Sequence, residues 1–261
     1  MKTTNLLATR LLPGLIWAVL LVAAGVARGQ GSNVLVEKAN KAYADGLYAE
    51  AADLYRKVAA SGYAAPELYY NLGNACFKLN DYPGAILWYE RARRLDPGNE
   101  DITYNLSVAN SKIADKIEPV PEMFYVRWYF LLINKLPADG WAWITVLCFL
   151  AAIAAATLYL LSTRLFLRKA GFWSAALFLV LFLFALLFAF SANSRIRNVT
   201  EAVIMTPTVT VKSSPDDKSV DLFVLHEGTK VRILDRIGSW YEIRIANGSI
   251  GWLQAGVMEQ I

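Results

Sequence analysis

The chain has few of the side chains on which enzyme active sites and metal centres are usually built. Its 261 residues include one histidine and two cysteines, and only 18% of them are charged. Cys76 and Cys148 fall in segments predicted below to be a repeat helix and a membrane span, so the sequence offers no disulfide framework and no zinc site. With His226 as the only imidazole, no Ser-His-Asp, Cys-His or metal-ligand cluster can be assembled. We therefore expect no enzymatic activity, no catalytic residue, no metal and no cofactor.

The segments that read as soluble domains also lack a basic excess. Residues 32–118 contain 10 basic and 12 acidic side chains, and residues 201–261 contain 6 and 8. The formal charge of +4 comes instead from basic residues that flank apolar stretches. This distribution favours lipid head groups over nucleic acid as the partner of the basic residues.

Two long runs, residues 141–161 and 172–192, contain no charge at all. As a helix each would be roughly 31 Å long, which matches a hydrocarbon core of about 30 Å. We predict that both are transmembrane helices, joined by a cytoplasmic loop at residues 162–171. Because neither run contains an ionisable group that would mark a transport pathway, the pair is expected to be an anchor.

The N-terminal 29 residues have the features of a secretory signal peptide. Lys2 and Arg10 precede an uncharged stretch that ends in small residues at Gly25 and Ala27. An uncleaved membrane anchor is the competing interpretation. Two spans return the chain to its starting side, so we expect an inner-membrane protein with both soluble domains in the periplasm.

The segment after the signal peptide repeats itself. Tyr48 and Tyr55 recur 34 residues later as Tyr82 and Tyr89. Residues 72–97 resemble the tetratricopeptide repeat, in which two antiparallel helices pack closely.

The residue types in this repeat suit such packing. Gly73 and Ala85 are small where the two helices would approach each other, and Pro97 cannot continue a helix. An earlier copy matches less well, and a third copy stops after one helix, at residues 101–116. We therefore predict an all-α array at residues 32–118, made of two repeats and a capping helix.

The resemblance implies a peptide-binding groove lined by the first helix of each repeat. Amides that present a donor and an acceptor together suit an extended peptide backbone. The candidate peptide-binding residues are Asn40, Asn71, Asn74, Lys78 and Asn105. Basic residues typical of a carboxylate clamp are replaced at three positions, so no clamp is expected. The alternative is that these amides only solvate an exposed helix face.

Residues 119–140 form a juxtamembrane segment rich in aromatic side chains. Arg127, Asn134 and Lys135 interrupt it too often for a membrane span. We interpret it as a helix lying in the membrane interface. Packing against the repeat array as a closing helix is the alternative.

The last segment, residues 200–261, changes to short alternating apolar runs, and Asn247-Gly248 is a favoured hairpin turn. Its order of motifs resembles the bacterial SH3-like domain, a small all-β barrel. The resemblance implies a shallow binding surface that includes Trp240, Tyr241 and Trp252. Core packing is the alternative role for both Trp side chains.

The complete order of segments resembles the BatE proteins of the bacterial aerotolerance operon. That resemblance implies a membrane-anchored scaffold working with partner proteins that carry von Willebrand A domains and with a MoxR-type ATPase. A cell-wall-binding accessory protein, with peptidoglycan as the ligand of the SH3-like domain, is the alternative. The fold class expected is thus a multidomain membrane protein with a repeat array, two transmembrane helices and an SH3-like barrel.

Overall fold

The structure is a computed structural model that describes residues 29–121, 123–197 and 200–261. The predicted signal peptide, residues 1–29, lies almost entirely outside the described residues. The chain divides into two compact units, Met1–Ala64 and Ala65–Ile261.

The first unit contains a helical hairpin. Helix α1 spans Gly29–Ala44 and helix α2 spans Tyr48–Ala60. The turn between them requires a left-handed residue, which Gly46 supplies with a φ of +79°. Small side chains at Ala39 and Ala51 are fully buried, as the close packing of a repeat hairpin requires.

The second unit begins with three short helices, α3 at Pro66–Lys78, α4 at Tyr82–Leu95 and α5 at Glu100–Asn110. Proline in the first turn favours the start of α3, and the Asp81 carboxylate caps α4 by accepting a 2.9 Å hydrogen bond from the Gly84 amide. These helices confirm the predicted all-α character of this region.

Helices α3 and α4 approach each other at Gly73. A Cβ atom at this position would lie 2.6 Å from the ring of Tyr89, so only glycine fits without displacing the ring. Ala85 is fully buried. The predicted need for small residues at this crossing is confirmed.

The capping helix is shorter than the 101–116 that the sequence pattern predicts. Helix α5 ends at Asn110, and residues 111–121 are not helical. The reason lies in the C-terminal domain, because Asp115 accepts hydrogen bonds from His226 and Thr229 there. Tertiary bonding therefore holds a segment that local periodicity would have continued as helix.

Three further helices follow, α6 at Phe124–Ile133, α7 at Ala138–Leu161 and α8 at Leu165–Arg197. Helices α7 and α8 are each long and apolar enough to cross a membrane. The connection between them is shorter than the predicted loop at residues 162–171, because α8 already begins at Leu165. Helices α7 and α8 touch at Gly171, where a Cβ atom would lie 2.8 Å from the Tyr159 amide nitrogen.

The chain ends in a seven-stranded antiparallel sheet with the strand order β3-β2-β6-β5-β4-β1-β7. Its strands are β1 Glu201–Ile204, β2 Thr208–Lys212, β3 Asp221–His226, β4 Lys230–Ile237, β5 Trp240–Arg244, β6 Ile250–Gln254 and β7 Met258–Gln260. The predicted hairpin turn joins β5 to β6, and Gly248 has a φ of +92°. The core contains Ala202, Ile204, Val211, Leu225, Val231, Ile243, Ile245 and Leu253. This all-β domain is consistent with the SH3-like fold.

Candidate functional site

The two repeats contain the same side-chain hydrogen bond, 34 residues apart. The Tyr55 hydroxyl donates to Asn40 Oδ1 at 2.6 Å in the first unit. The Tyr89 hydroxyl donates to Asn74 Oδ1 at 2.7 Å in the second. Burial raises the pKa of Tyr55 to about 12, so its hydroxyl remains a donor at neutral pH. The side-chain oxygens of Asn40 and Asn74 therefore each accept a hydrogen bond from within their own helical hairpin.

Asn105 is also bonded inside the protein. Its Nδ2 atom donates to the Tyr70 hydroxyl at 2.9 Å and to Asn74 Oδ1 at 3.0 Å. The amide thereby ties the capping helix α5 to α3. Among the predicted peptide-binding residues of the second unit, the structure brings Asn74 and Asn105 into contact.

Asn71 and Lys78 differ from these three amides. Asn71 is half-buried and Lys78 is exposed, and neither side chain has a hydrogen-bond partner within the described part of the chain. The two lie seven residues apart on α3, so they share the face that also carries Asn74. Neither side chain is committed to an internal hydrogen bond in this part of the chain, so both are available to a ligand.

The predicted barrel surface splits into two faces. Trp240 lies opposite Gln254, and Trp252 lies opposite Glu242, so both Trp side chains are on one face of the β5-β6 pair. Tyr241 lies on the other face and packs against the barrel core. Both Trp side chains are half-buried. The Trp pair therefore shares one face of these strands, and Tyr241 lies on the opposite face.

An ionic network joins α4 to the barrel, and the sequence pattern did not reveal it. Glu90 is only 5% exposed, and its Oε2 atom lies 2.6 Å from Arg93 Nη2 and 3.2 Å from Lys230 Nζ. Lys230 Nζ also lies 2.7 Å from Glu201 Oε2. Burial alone would raise the pKa of Glu201, but Lys230 outweighs it and the pKa is lowered. The only sequence signal was a carboxylate within an otherwise apolar face of α4.

Two arginines extend this interface. Arg91 Nη2 lies 2.9 Å from Glu259 Oε1 and donates to the Gln260 carbonyl oxygen at 2.6 Å. Arg94 donates to the carbonyl oxygen of Ile261. Gly228, with a φ of +85°, allows the turn before β4 to pack closely against Ile113 and against Ile86 of α4. Helix α4 therefore packs against α3 within the repeat and also contacts the barrel.

The segment after α5 makes a third connection to the barrel. Asp115 accepts from the His226 amide at 2.8 Å, pairs with His226 Nδ1 at 2.7 Å and accepts from the Thr229 hydroxyl at 2.7 Å. The Thr229 hydroxyl is thus directed at the carboxylate and not at the imidazole. The arrangement fixes a turn of the barrel against the segment that follows α5.

Within residues 29–121, 123–197 and 200–261, no group of three or more His, Cys, Asp or Glu side chains is arranged to hold a metal ion. Comparison with known families matches residues 36–100 to the tetratricopeptide repeat and residues 207–259 to the bacterial SH3 domain. No curated protein matches the chain. The chain therefore contains a tetratricopeptide repeat region and a bacterial SH3 domain, on either side of two candidate membrane-spanning helices.

Proposed function

We propose that the protein is a membrane-anchored adaptor whose repeat helices and SH3 domain bind partners on the same side of the bilayer. The observation that carries the proposal is the contact between α4 and the barrel, in which Arg91 pairs with Glu259 and Glu90 pairs with Lys230. Two domains in direct contact must share a compartment, although α7 and α8 separate them in sequence. The proposal assigns no reaction to the chain.

Anchoring is supported by the surfaces of α7 and α8. In the most apolar window of each helix only 6% of the residues are buried. Large side chains such as Leu147, Leu161 and Phe184 are more than half exposed. A surface of this size and polarity would be unstable in water. We expect the full chain to stay with the membrane pellet after alkaline carbonate extraction; release into the supernatant would contradict anchoring.

We propose that the protein lies in the inner membrane and that both of its soluble domains are in the periplasm. The signal-like N-terminal sequence and the bacterial SH3 domain support this side. Protease added to spheroplasts should cut the repeat region and the barrel, whereas intact cells should protect them. Protection of the barrel in spheroplasts would overturn the orientation.

The repeat helices are proposed to hold an extended segment of a protein partner. On the BatE resemblance, the partners are proteins with von Willebrand A domains and a MoxR-type ATPase system. Because Asn74 is part of the internal hydrogen-bond network, the informative variant is the double substitution Asn71→Ala and Lys78→Ala. Lys57→Ala, on α2, is the matched control, since Lys57 is also an exposed lysine on a repeat helix.

Co-purification in mild detergent tests the repeat groove. The parent and the Lys57→Ala control should retain a von Willebrand A domain protein, and the double variant should lose about nine-tenths of it, as expected for the loss of roughly 1.4 kcal/mol. Unchanged retention by the double variant, or no retention by the parent, would refute this groove.

A cell-wall role is the second candidate, favoured by the placement of Trp240 and Trp252 on one outer face of the barrel. Aromatic faces of this kind suit sugar rings and short peptides. The purified chain should then sediment with isolated peptidoglycan, and Trp252→Ala should reduce the bound fraction more than Ile237→Ala does. Absence of sedimentation by the parent would leave protein binding as the role of the barrel.

A further inference from the structure

A cleft of about 1020 Å³ lies within the second unit, where α4, α6, α8 and β1 meet. Part of its wall is apolar and includes Phe130, Ile133 and Ala192. The rest is charged, with six basic side chains against three acidic ones. The basic residues are Arg93, Arg94, Lys135, Arg195, Lys230 and Arg232.

Three of these six cations are already paired, and they share two carboxylates. Arg93 and Lys230 pair with Glu90, and Arg232 lies 3.9 Å from Glu201, which also pairs with Lys230. The remaining cations, Arg94, Arg195 and Lys135, have no Asp or Glu side chain within ion-pair distance among the described residues, and Glu201 acts on Arg94 and Arg195 only at longer range. The cleft is therefore basic at the end where α8 finishes.

Arg195 has the least satisfied side chain in the cleft. Its Nη1 atom donates to Asn134 Oδ1 at 2.9 Å, and its guanidinium lies 4.5 Å from the centre of the Phe130 ring. Its Nη2 atom is shielded from solvent and has no partner among the residues that the structure describes. An unpaired donor of this kind is costly, and an oxyanion would satisfy it.

The neighbouring guanidinium of Arg94 is held in place by main-chain oxygens. It donates to Arg195 and Ile196 at the end of α8 and to Ile261. These contacts fix the position of Arg94 beside Arg195. The guanidinium groups of Arg94 and Arg195 are therefore neighbours, and one anion in the cleft would interact with both.

The surroundings of the cleft indicate the source of that charge. Helix α6 borders it and exposes Phe124, Trp128 and Leu131 at 73%, 68% and 58%. These positions recur at helical spacing, so they form one apolar face, as in helices that lie in a membrane interface. The apolar wall at Phe130 and Ala192 continues this face into the cleft. A ligand that combines an anionic group with an apolar tail fits both walls.

We propose that this cleft binds the phosphate group of an anionic phospholipid, with Arg195 as its principal contact and Lys135 and Arg94 as supporting charges. The proposal rests on the membrane anchoring proposed above. It adds a specific lipid-binding site to an adaptor for which the bilayer would otherwise provide anchoring alone.

The test uses the full chain in nanodiscs of equal parts phosphatidylglycerol and phosphatidylcholine, with native mass spectrometry of the retained lipids. The parent should retain phosphatidylglycerol in preference to phosphatidylcholine by about tenfold, the effect of one charge-assisted contact. Arg195→Gln should abolish the preference. Arg197→Gln, on the same last turn of α8 but outside the cleft lining, should keep it.

Two further arms separate the alternatives. Ala192→Phe narrows the apolar wall while leaving Arg195 in place, so it should also lower the preference, even if Arg195→Gln proves too unstable to purify. Inorganic phosphate added to the detergent-purified chain should not raise its melting temperature; an increase equal to that produced by phosphatidylglycerol would show a free-anion site and refute the lipid.

The outcomes for anchoring and for the lipid site are distinguishable. Release of the chain by alkaline carbonate would refute the anchoring, and the lipid site with it. Firm membrane association with equal retention of the two lipids, or an unchanged preference in Arg195→Gln, would refute the lipid site alone.

Discussion

Replacing Asp115 by Asn should loosen the barrel from the repeat region without removing any apolar contact. The carboxylate receives three donors at 2.7–2.8 Å, two from His226 and one from Thr229. An amide has one acceptor oxygen, and its NH₂ group would face one of these donors. The substitution should therefore break at least one charge-assisted hydrogen bond and weaken another.

The magnitude follows from the burial of the partners. The Asp115 side chain is only 15% exposed, so its bond from the buried Thr229 hydroxyl is little screened. The His226 side chain is 42% exposed, and its contribution must be discounted for solvent. A hydrogen bond to a charged group is worth roughly 1.5–3 kcal/mol. We expect Asp115→Asn to cost about 2–3 kcal/mol of local stability.

Hydrogen exchange at the His226 amide measures this cost, because that amide donates directly to Asp115. A loss of about 2–3 kcal/mol should accelerate its exchange by roughly 30- to 150-fold. Asp217→Asn is the control, since Asp217 is an exposed carboxylate that accepts one bond from Gln254 at 3.0 Å. A change at His226 of less than about threefold in Asp115→Asn would refute the reasoning.

The same contact should depend on pH with a definite sign. Partial burial would raise the pKa of Asp115, but hydrogen bonds from Thr229 and His226 outweigh it, and the pKa lies below its ordinary value. The stabilisation is thus fully present above the ordinary carboxyl pKa of about 3.9 and is lost as the pH falls through the lowered value. The protection factor of the His226 amide, the intrinsic exchange rate divided by the observed rate at the same pH, should fall in that acidic range in the parent and stay constant in Asp115→Asn.

Gly73→Ala should lower the free energy of unfolding by roughly 1–3 kcal/mol, because its methyl group would lie 2.6 Å from the Tyr89 ring; a urea unfolding curve tests this, and an unchanged midpoint would contradict it. Gly171→Val should separate α7 from α8 and lower the melting temperature in detergent, whereas Gly256→Val, with open space around it, should not. Glu90→Gln should leave Lys230 without its buried partner and cost roughly 3 kcal/mol, seen as faster exchange in β4; parental exchange rates there would contradict it.

Much of the fold is predictable from local pattern. The 34-residue period identified the helical hairpins, and the structure shows why it exists, since Asn40–Tyr55 and Asn74–Tyr89 are the same bond repeated. Uninterrupted apolar runs identified α7 and α8, and the hairpin signal at residues 247–248 identified the β5-β6 turn. Each of these signals lies within one element or between neighbours in sequence.

The contacts between domains were not predictable in this way. Asp115 and His226 are 111 residues apart, and Glu90 and Lys230 are 140 residues apart. No periodicity links residues so distant, and a single charged side chain reads locally as a solvated one. The early end of α5 was missed for the same reason, since it depends on partners supplied by the folded barrel.

The length of α8 has a mechanical consequence. Its 33 residues extend for about 50 Å, whereas a hydrocarbon core of about 30 Å takes up about 20 residues. The helix therefore continues beyond a bilayer as one stiff rod. At its end, Arg94 donates hydrogen bonds to the carbonyl oxygens of Arg195 and Ile196. Because Arg94 lies on α4, a change in the tilt of α8 would rotate α4. A bilayer that thins or thickens would thus reorient α4 together with the barrel that packs against it.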